Sequence, residues 1–167
     1  MVRHVFFSFH YKNDITRAMV VRNSQVTWKN RNIKIKKFID KADIEKVQRQ
    51  SVKAVHKWIN AQLKGTSVTV VLIGSTTLKR KHVQYEIQES LRRGNGLIGV
   101  RIHKIKNLKK RVSEKGVTHT RIGYYEDGTP AYFDSVVDKI YDYIIDDGFY
   151  NLGTWIEASA RKHEKTR

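Results

Sequence analysis

Apolar and polar positions follow two rhythms along this chain, and the changes between them mark out its elements. Val5-Phe6-Phe7-Ser8-Phe9 is a short continuous apolar run, which suits a strand buried on both faces. Residues 12–32 are polar and irregular, with a short helix predicted only around Ala18 to Val21. Ile33 to Asp40 reads as a second strand whose first half alternates apolar and basic residues, as an edge strand does. Asp43 is placed as the N-cap of a long helix over about 44–64. Ile44, Val47, Val52, Val55, Trp58, Ile59 and Leu63 form its apolar face, with Lys46, Arg49, Lys53 and Lys57 on the other and Gly65 at the C-cap. A strand over Ser67–Ile73 follows, then a helix near 81–93 with Val83, Ile87 and Leu91 turned inward. Gly94-Asn95-Gly96 ends that helix and Leu97–Ile102 is a fourth strand. Residues 103–125 read as a basic loop and Tyr124 to Pro130 as a turn-rich insert. The last helix is predicted over about 132–146, with Val136, Val137, Ile140 and Ile144 facing in, and Trp155 and a polar tail finish the chain.

Strands alternating with helices predict an α/β three-layer domain, and at this size a flavodoxin-like fold with a central, mainly parallel sheet. In that topology ligands bind beyond the carboxyl ends of the strands, where strand order reverses between the first and third strands. Those ends are Ser8-Phe9-His10 and Gly74-Ser75, and Glu86 rises from the neighbouring helix, so Ser8, His10, Ser75 and Glu86 are expected to converge. With 167 residues the chain is read as a single domain, its core about 4–103 and a C-terminal helix and basic tail about 131–167.

Charge sharpens this picture. The formal net charge is +17. Residues 1–125 hold 28 Lys/Arg against 7 Asp/Glu, whereas residues 126–157 hold 8 acids against Lys139 alone. Such a field attracts polyanions and phosphorylated small molecules, although a solvated lysine-rich surface would look the same. Glu86 is then a lone carboxylate in a basic setting, where a substrate that develops positive charge would find it. The absence of cysteine excludes disulfides, thiolate metal sites and a cysteine nucleophile. The seven histidines are scattered without ligand spacing, so no metal is expected, and there is no Walker-type loop and no GxSxG elbow. The chain opens without a secretory h-region and has no run of membrane-spanning length, so the expected location is the cytoplasm, with no membrane partner.

Several separated blocks carry a family resemblance. They are His4 to Tyr11, Val21-Arg22-Asn23-Ser24, Phe38-Ile39-Asp40, Lys64 to Ser75, Val83-Gln84-Tyr85-Glu86-Ile87 and Arg93-Gly94-Asn95-Gly96. Together, over roughly residues 4–103, they resemble the TIR-like domain family that includes the Thoeris anti-phage TIR proteins. The resemblance implies a flavodoxin-like TIR fold. It also implies cleavage of the nicotinamide–ribose bond of NAD, as substrate rather than cofactor, often releasing a cyclic ADP-ribose-type signal that activates a partner effector. An infection trigger or an assembly step, with self-association, often accompanies that activity. The family's catalytic Glu closes a pattern of Trp, three residues, then Glu. Glu86 holds the Glu position and His82 stands where the Trp is usual.

The chemistry fits a single carboxylate. Loss of nicotinamide leaves an oxocarbenium-like ribose, which a carboxylate stabilises, and the cationic leaving group needs no general acid. Glu86 is thus the expected catalytic residue, with Ser8, Phe9, His10, Arg22, Asn23, Ser75 and His82 as expected substrate contacts and Arg22 offered for the pyrophosphate. Ser75 either binds substrate or caps the next segment, and Asp40 reads better as a cap or turn residue. Tyr124, Tyr125 and Trp155 read as packing or assembly residues. The competing reading is a non-catalytic TIR-like module that binds a nucleotide, a protein partner or, less favoured, nucleic acid. A phosphoacceptor receiver is excluded, because Phe9-His10 and Gly74-Ser75 stand where acidic residues are needed.

Overall fold

The computed structural model describes residues 1–27, 32–35, 46–47 and 49–164, with side chains in the first of these segments described to residue 24. Five strands, β1 (Arg3–Ser8), β2 (Ile33–Ile35), β3 (Val68–Ile73), β4 (Gly96–Arg101) and β7 (Lys139–Asp142), form one all-parallel sheet in the order β2-β1-β3-β4-β7. Every residue of β3 is buried, as a central parallel strand covered on both faces requires. The two-residue alternation of a strand sorts the core. Val5, Phe7, Val70 and Leu72 pack on one face with Ala18, Val21, Leu152 and Ile156. Phe6 packs with Val55, Ile59 and Leu63 on the other, and Val71 and Ile73 with Val83, Ile87 and Phe133. The expected flavodoxin-like α/β architecture is therefore the observed one.

Helix α1 (Tyr11–Thr27) spans 17 residues, where the sequence predicts only a short helix near Ala18. Its inward stripe is Asp14, Arg17, Ala18, Val21 and Ser24, at helical spacing, and three of those five are polar. Burying an ion pair and a hydroxyl on the core side hides the helical period from a reading of apolar positions. Helix α2 (Val52–Leu63) begins later than predicted, at an N-cap Ser51 whose Oγ accepts from the Ala54 N–H at 3.3 Å. Residues 46–47 are helical, but the turn at Arg49–Gln50 separates them from α2, so the long apolar stripe is split. Asp40, Asp43 and Ile44 lie outside the described residues, as does the second strand beyond Ile35. Gly65 follows α2 at φ +76°, the left-handed position that a helix C-terminus reserves for glycine. Helix α3 (Lys81–Arg92) runs as predicted.

The last third of the chain departs furthest from expectation. The basic stretch and the turn-rich insert contain an antiparallel hairpin, β5 (Arg121–Tyr124) with β6 (Pro130–Tyr132). The helix predicted over 132–146 does not form. A single turn, α4 (Phe133–Val136), leads into β7, and α5 (Gly148–Glu164) is the true last helix. The segment Val136 to Ile144 fits either period, and the open edge of β4 decides the outcome. In β7, Ile140 packs toward the Phe133 cluster and Tyr141 toward the opposite one, which only a strand allows for neighbours. Ile144, expected inside, is 52% exposed in the turn that follows. Trp155 belongs to α5, where it is a packing residue stacked on Tyr141 at 4.0 Å.

Polar anchors fix α5 to the sheet. Buried Arg3, the first residue of β1, reaches Glu157 at 2.9 and 3.0 Å and also bonds Glu164. Those guanidinium bonds hold the Glu157 carboxyl down at about 2. Asp138 accepts from Leu97 N–H at 3.1 Å, Ser159 at 2.7 Å and Lys162 at 2.9 Å, joining the entry of β7 to β4 and α5.

A tight stack seals the sheet at the carboxyl end of β3. A Cβ on Gly116 would overlap the carbonyl oxygen of Gly74, and a Cβ on Gly74 would overlap the carboxylate of Asp14. Gly116→Ala is therefore expected to cost about 1–3 kcal/mol and to lower Tm by roughly 2–10 °C in thermal unfolding. A Tm within a degree of the parent would show that this contact is loose.

Candidate active site at the switch point

Strand order reverses between β1 and β3, so the loops that leave those two strands stand at the carboxyl edge of the sheet, where this topology binds ligands. Ser8 is the last residue of β1, buried and paired in register with Val71. Glu86 stands in the second turn of α3, half-buried. The Ser8 hydroxyl donates a short hydrogen bond to Glu86 Oε2. This is the convergence expected from topology, made into a direct contact across 78 residues of sequence. Helix α3 is held in that pose from several sides. Ser90 Oγ donates to the Glu86 carbonyl and meets Thr69 Oγ1, both at 2.7 Å. Gln84 donates to the Leu78 carbonyl at 2.9 Å, and Gln88 bonds the Ile122 carbonyl of the hairpin.

Burial pushes the Glu86 carboxyl up to about 8, and the Ser8 hydrogen bond only partly opposes it. In the absence of substrate the group therefore carries its proton at neutral pH. A cation brought against it would favour the charged form, so the carboxylate is matched to a substrate bearing or developing positive charge.

The other expected contacts divide into two sets. His82 lies one helical turn before Glu86 on the same side of α3, half-buried, with its ring pulled below the usual imidazole range by burial and then by Arg80 and His56. Behind it, His56 stacks on Tyr85 at 3.6 Å and Asn60 donates to the Tyr85 hydroxyl at 3.0 Å, bracing α2 against α3. His10 Nδ1 meets Thr76 Oγ1 at 3.5 Å, and burial, Arg80 and Lys12 depress its ring as well. Ser75 is half-buried in the loop after β3. Arg80 is the N-cap of α3, and Thr76 precedes the single 3-10 turn at Thr77–Lys79, so Ser75 caps neither. Phe9, just past Ser8, packs against the cluster on the α1 side and stacks on Tyr11 at 6.0 Å.

Arg22 and Asn23 belong to the second set. They stand eleven and twelve residues beyond the start of α1 at Tyr11, about 16 Å along its axis at 1.5 Å per residue. The structure does not bring them to the Ser8–Glu86 contact.

The sequence reading misses Asp14 and Arg17. Asp14 is buried under Gly74, its carboxyl pushed up by burial, with one oxygen 3.5 Å from Arg17. Arg17 donates to the carbonyls of Ile105 at 2.7 Å and Arg111 at 3.1 Å. The pair thus pins the basic 103–113 stretch beside the switch point. Nothing in a list of apolar positions could reveal it, since both residues look like surface helix positions.

Among the described residues, no group of three or more His, Asp or Glu side chains is placed to hold a metal ion, and no helix is long and apolar enough to cross a membrane. A cavity of about 390 Å³, lined in part by Arg3, His4, Ser67 and Glu164, sits at the opposite, amino-terminal edge of the sheet, away from this chemistry.

An all-parallel sheet of this order, with a half-buried carboxyl at its switch point, is that of a flavodoxin-like domain, as TIR-like proteins have. The sequence model described as "Thoeris protein ThsB, TIR-like domain" matches residues 6–107, and the chain belongs to that family. A protein of Bacillus cereus (strain MSX-D12) named "Putative cyclic ADP-D-ribose synthase ThsB1" is 32% identical to it over 193 aligned positions, covering 93% of this chain and 100% of the relative.

Proposed function

We propose that this protein cleaves the nicotinamide–ribose bond of NAD in anti-phage defence and turns the ADP-ribose part into a cyclic ADP-ribose-type signal for a partner effector. The observation that carries the reading is the Ser8–Glu86 contact at the switch point, a single carboxyl held in a low-dielectric cleft. The name of the Bacillus relative supports the product class.

The chemistry follows from that geometry. Nicotinamide departs with the electron pair of the C–N bond and becomes a neutral pyridine, so no acid is required. Positive charge moves onto the ribose, where the Glu86 carboxylate stabilises it. An acceptor then bonds to the anomeric carbon through its own electron pair and releases a proton to solvent. Water as acceptor yields ADP-ribose, and a group of the same nucleotide yields a cyclic product. Ser8 acts by orienting Glu86.

The test is liquid chromatography with mass spectrometry on NAD incubated with lysate of infected cells expressing the parent chain or Glu86→Gln. An ADP-ribose-mass or cyclic product that requires Glu86 supports the enzyme and identifies its signal. Equal NAD loss with both folded proteins would sink it in favour of the binding module.

Ser8→Ala gives a graded outcome. Without the hydroxyl, the carboxylate loses a donor that favours its charged form, so the group should hold its proton to higher pH. We expect NAD turnover at neutral pH to fall about 10-fold, with the rising limb of the pH–rate profile displaced upward. An unmoved limb would show that Ser8 only packs.

A further inference from the structure

Resting on the NAD reading, the phosphates of the substrate still need partners. The sequence offers Arg22, which lies about 16 Å down α1 from the cleft at the ordinary helical rise. The first turn of α1 and the loop after β3 are closer candidates, because side chains tie them together. Thr76 Oγ1 accepts from Asn13 Nδ2 at 3.4 Å and meets His10 Nδ1 at 3.5 Å. Lys12 and Arg80 are both exposed beside this knot, where both charges act on His10 and the Arg80 charge also acts on His82. Arg80 also heads α3, whose first N–H groups receive no side-chain cap. Neither the Lys12 nor the Arg80 side chain makes an ion pair among the described residues, and Lys79 and Lys81 flank Arg80 in the chain, exposed too.

We infer that Arg80 and Lys12 form the lip of the cleft that binds the pyrophosphate of the dinucleotide. Arg80 supplies a forked donor suited to phosphate oxygens and Lys12 a point charge, while the free N–H groups at the start of α3 face the same anion. The +17 net charge then has a local use. It acts where the substrate is most negative, less than two helical turns from the carboxylate that meets its most positive part.

The experiment measures NAD affinity in a Glu86→Gln background, where no substrate is consumed. Arg80→Gln and Lys12→Gln are compared with Lys53→Gln, which removes the same charge from an exposed position on α2. Thermal unfolding confirms that each variant folds. Arg80→Gln is expected to weaken NAD binding about 10-fold or more and Lys12→Gln several-fold, each with a shallower salt dependence. Lys53→Gln should bind like the parent, and affinity for nicotinamide riboside, which lacks phosphate, should not change. Parent-like NAD affinity in both lip variants, or an equal loss in Lys53→Gln, would overturn the lip. If turnover needs Glu86 but ignores Arg80, this inference alone fails. If the parent neither binds nor cleaves NAD, it falls together with the catalytic reading.

Discussion

Glu86→Gln is expected to lower NAD cleavage by about 10³-fold or more, with a far smaller loss of NAD affinity. The substitution keeps the size of the side chain and an oxygen that can accept from Ser8, so the contact between β1 and α3 survives. It removes only the ability to carry negative charge. Nicotinamide departure concentrates positive charge on the ribose in the transition state, and a neutral amide answers that charge poorly. Glu86 is half-buried, where one such electrostatic partner is worth more than in water. Rates and dissociation constants measured side by side check this. Turnover within 10-fold of the parent would leave Glu86 a structural residue and move the search to the basic rim.

The same substitution is expected to stabilise the protein at high pH, by on the order of 4 kcal/mol. The folded-state group titrates at about 8 against an ordinary value of 4.5, with burial as the cause. Between those values the folded protein holds a proton that the unfolded chain has released. Stability of the parent therefore falls as pH rises through that window and levels off above it. The Glu86→Gln protein carries no such penalty, so the two should be equally stable near pH 4.5 and diverge up to about pH 8. Carboxylates with depressed values, such as Glu157, act in the opposite sense but equally in both proteins, and cancel in the difference. Denaturant unfolding across pH reads the divergence, and a flat difference would mean that the carboxyl is solvated. Activity should mirror it: kcat/KM for NAD should rise with pH until the free group is ionised near 8, while the limb in kcat should lie lower, because bound cationic nicotinamide favours the carboxylate.

Loss of activity joined to gain of stability separates a catalytic role from a packing role. A residue kept for packing would lose stability on substitution, at every pH. A carboxylate kept in a poor environment for charge is costly to the fold and useful only to a cationic partner.

The parts of this architecture that were legible in the sequence are those in which local pattern and tertiary setting agree. The buried strands β1, β3 and β4 read directly, because a parallel strand covered on both faces must be apolar throughout. Helix α3 reads directly because Val83, Ile87 and Leu91 keep one face. Their order implied the switch point, and from it the approach of Ser8 to Glu86.

Where neighbours overrule pattern, sequence reading fails. The segment 136–144 satisfies both a helix and a strand, and only the unpaired edge of β4 makes it β7. Helix α1 is hidden because Asp14, Arg17 and Ser24 are polar but face inward. Arg22 lies about 16 Å along α1 from its first residue, a placement set by the direction in which β1 delivers the helix and not by the spacing of residues. Composition, the strand–helix alternation and the choice of Glu86 are thus determined by the sequence itself, being properties of residues and their spacing. The fifth strand, the Asp14–Arg17 pin and the direct Ser8–Glu86 contact are decided only in three dimensions, because each depends on what a distant segment brings to the same place.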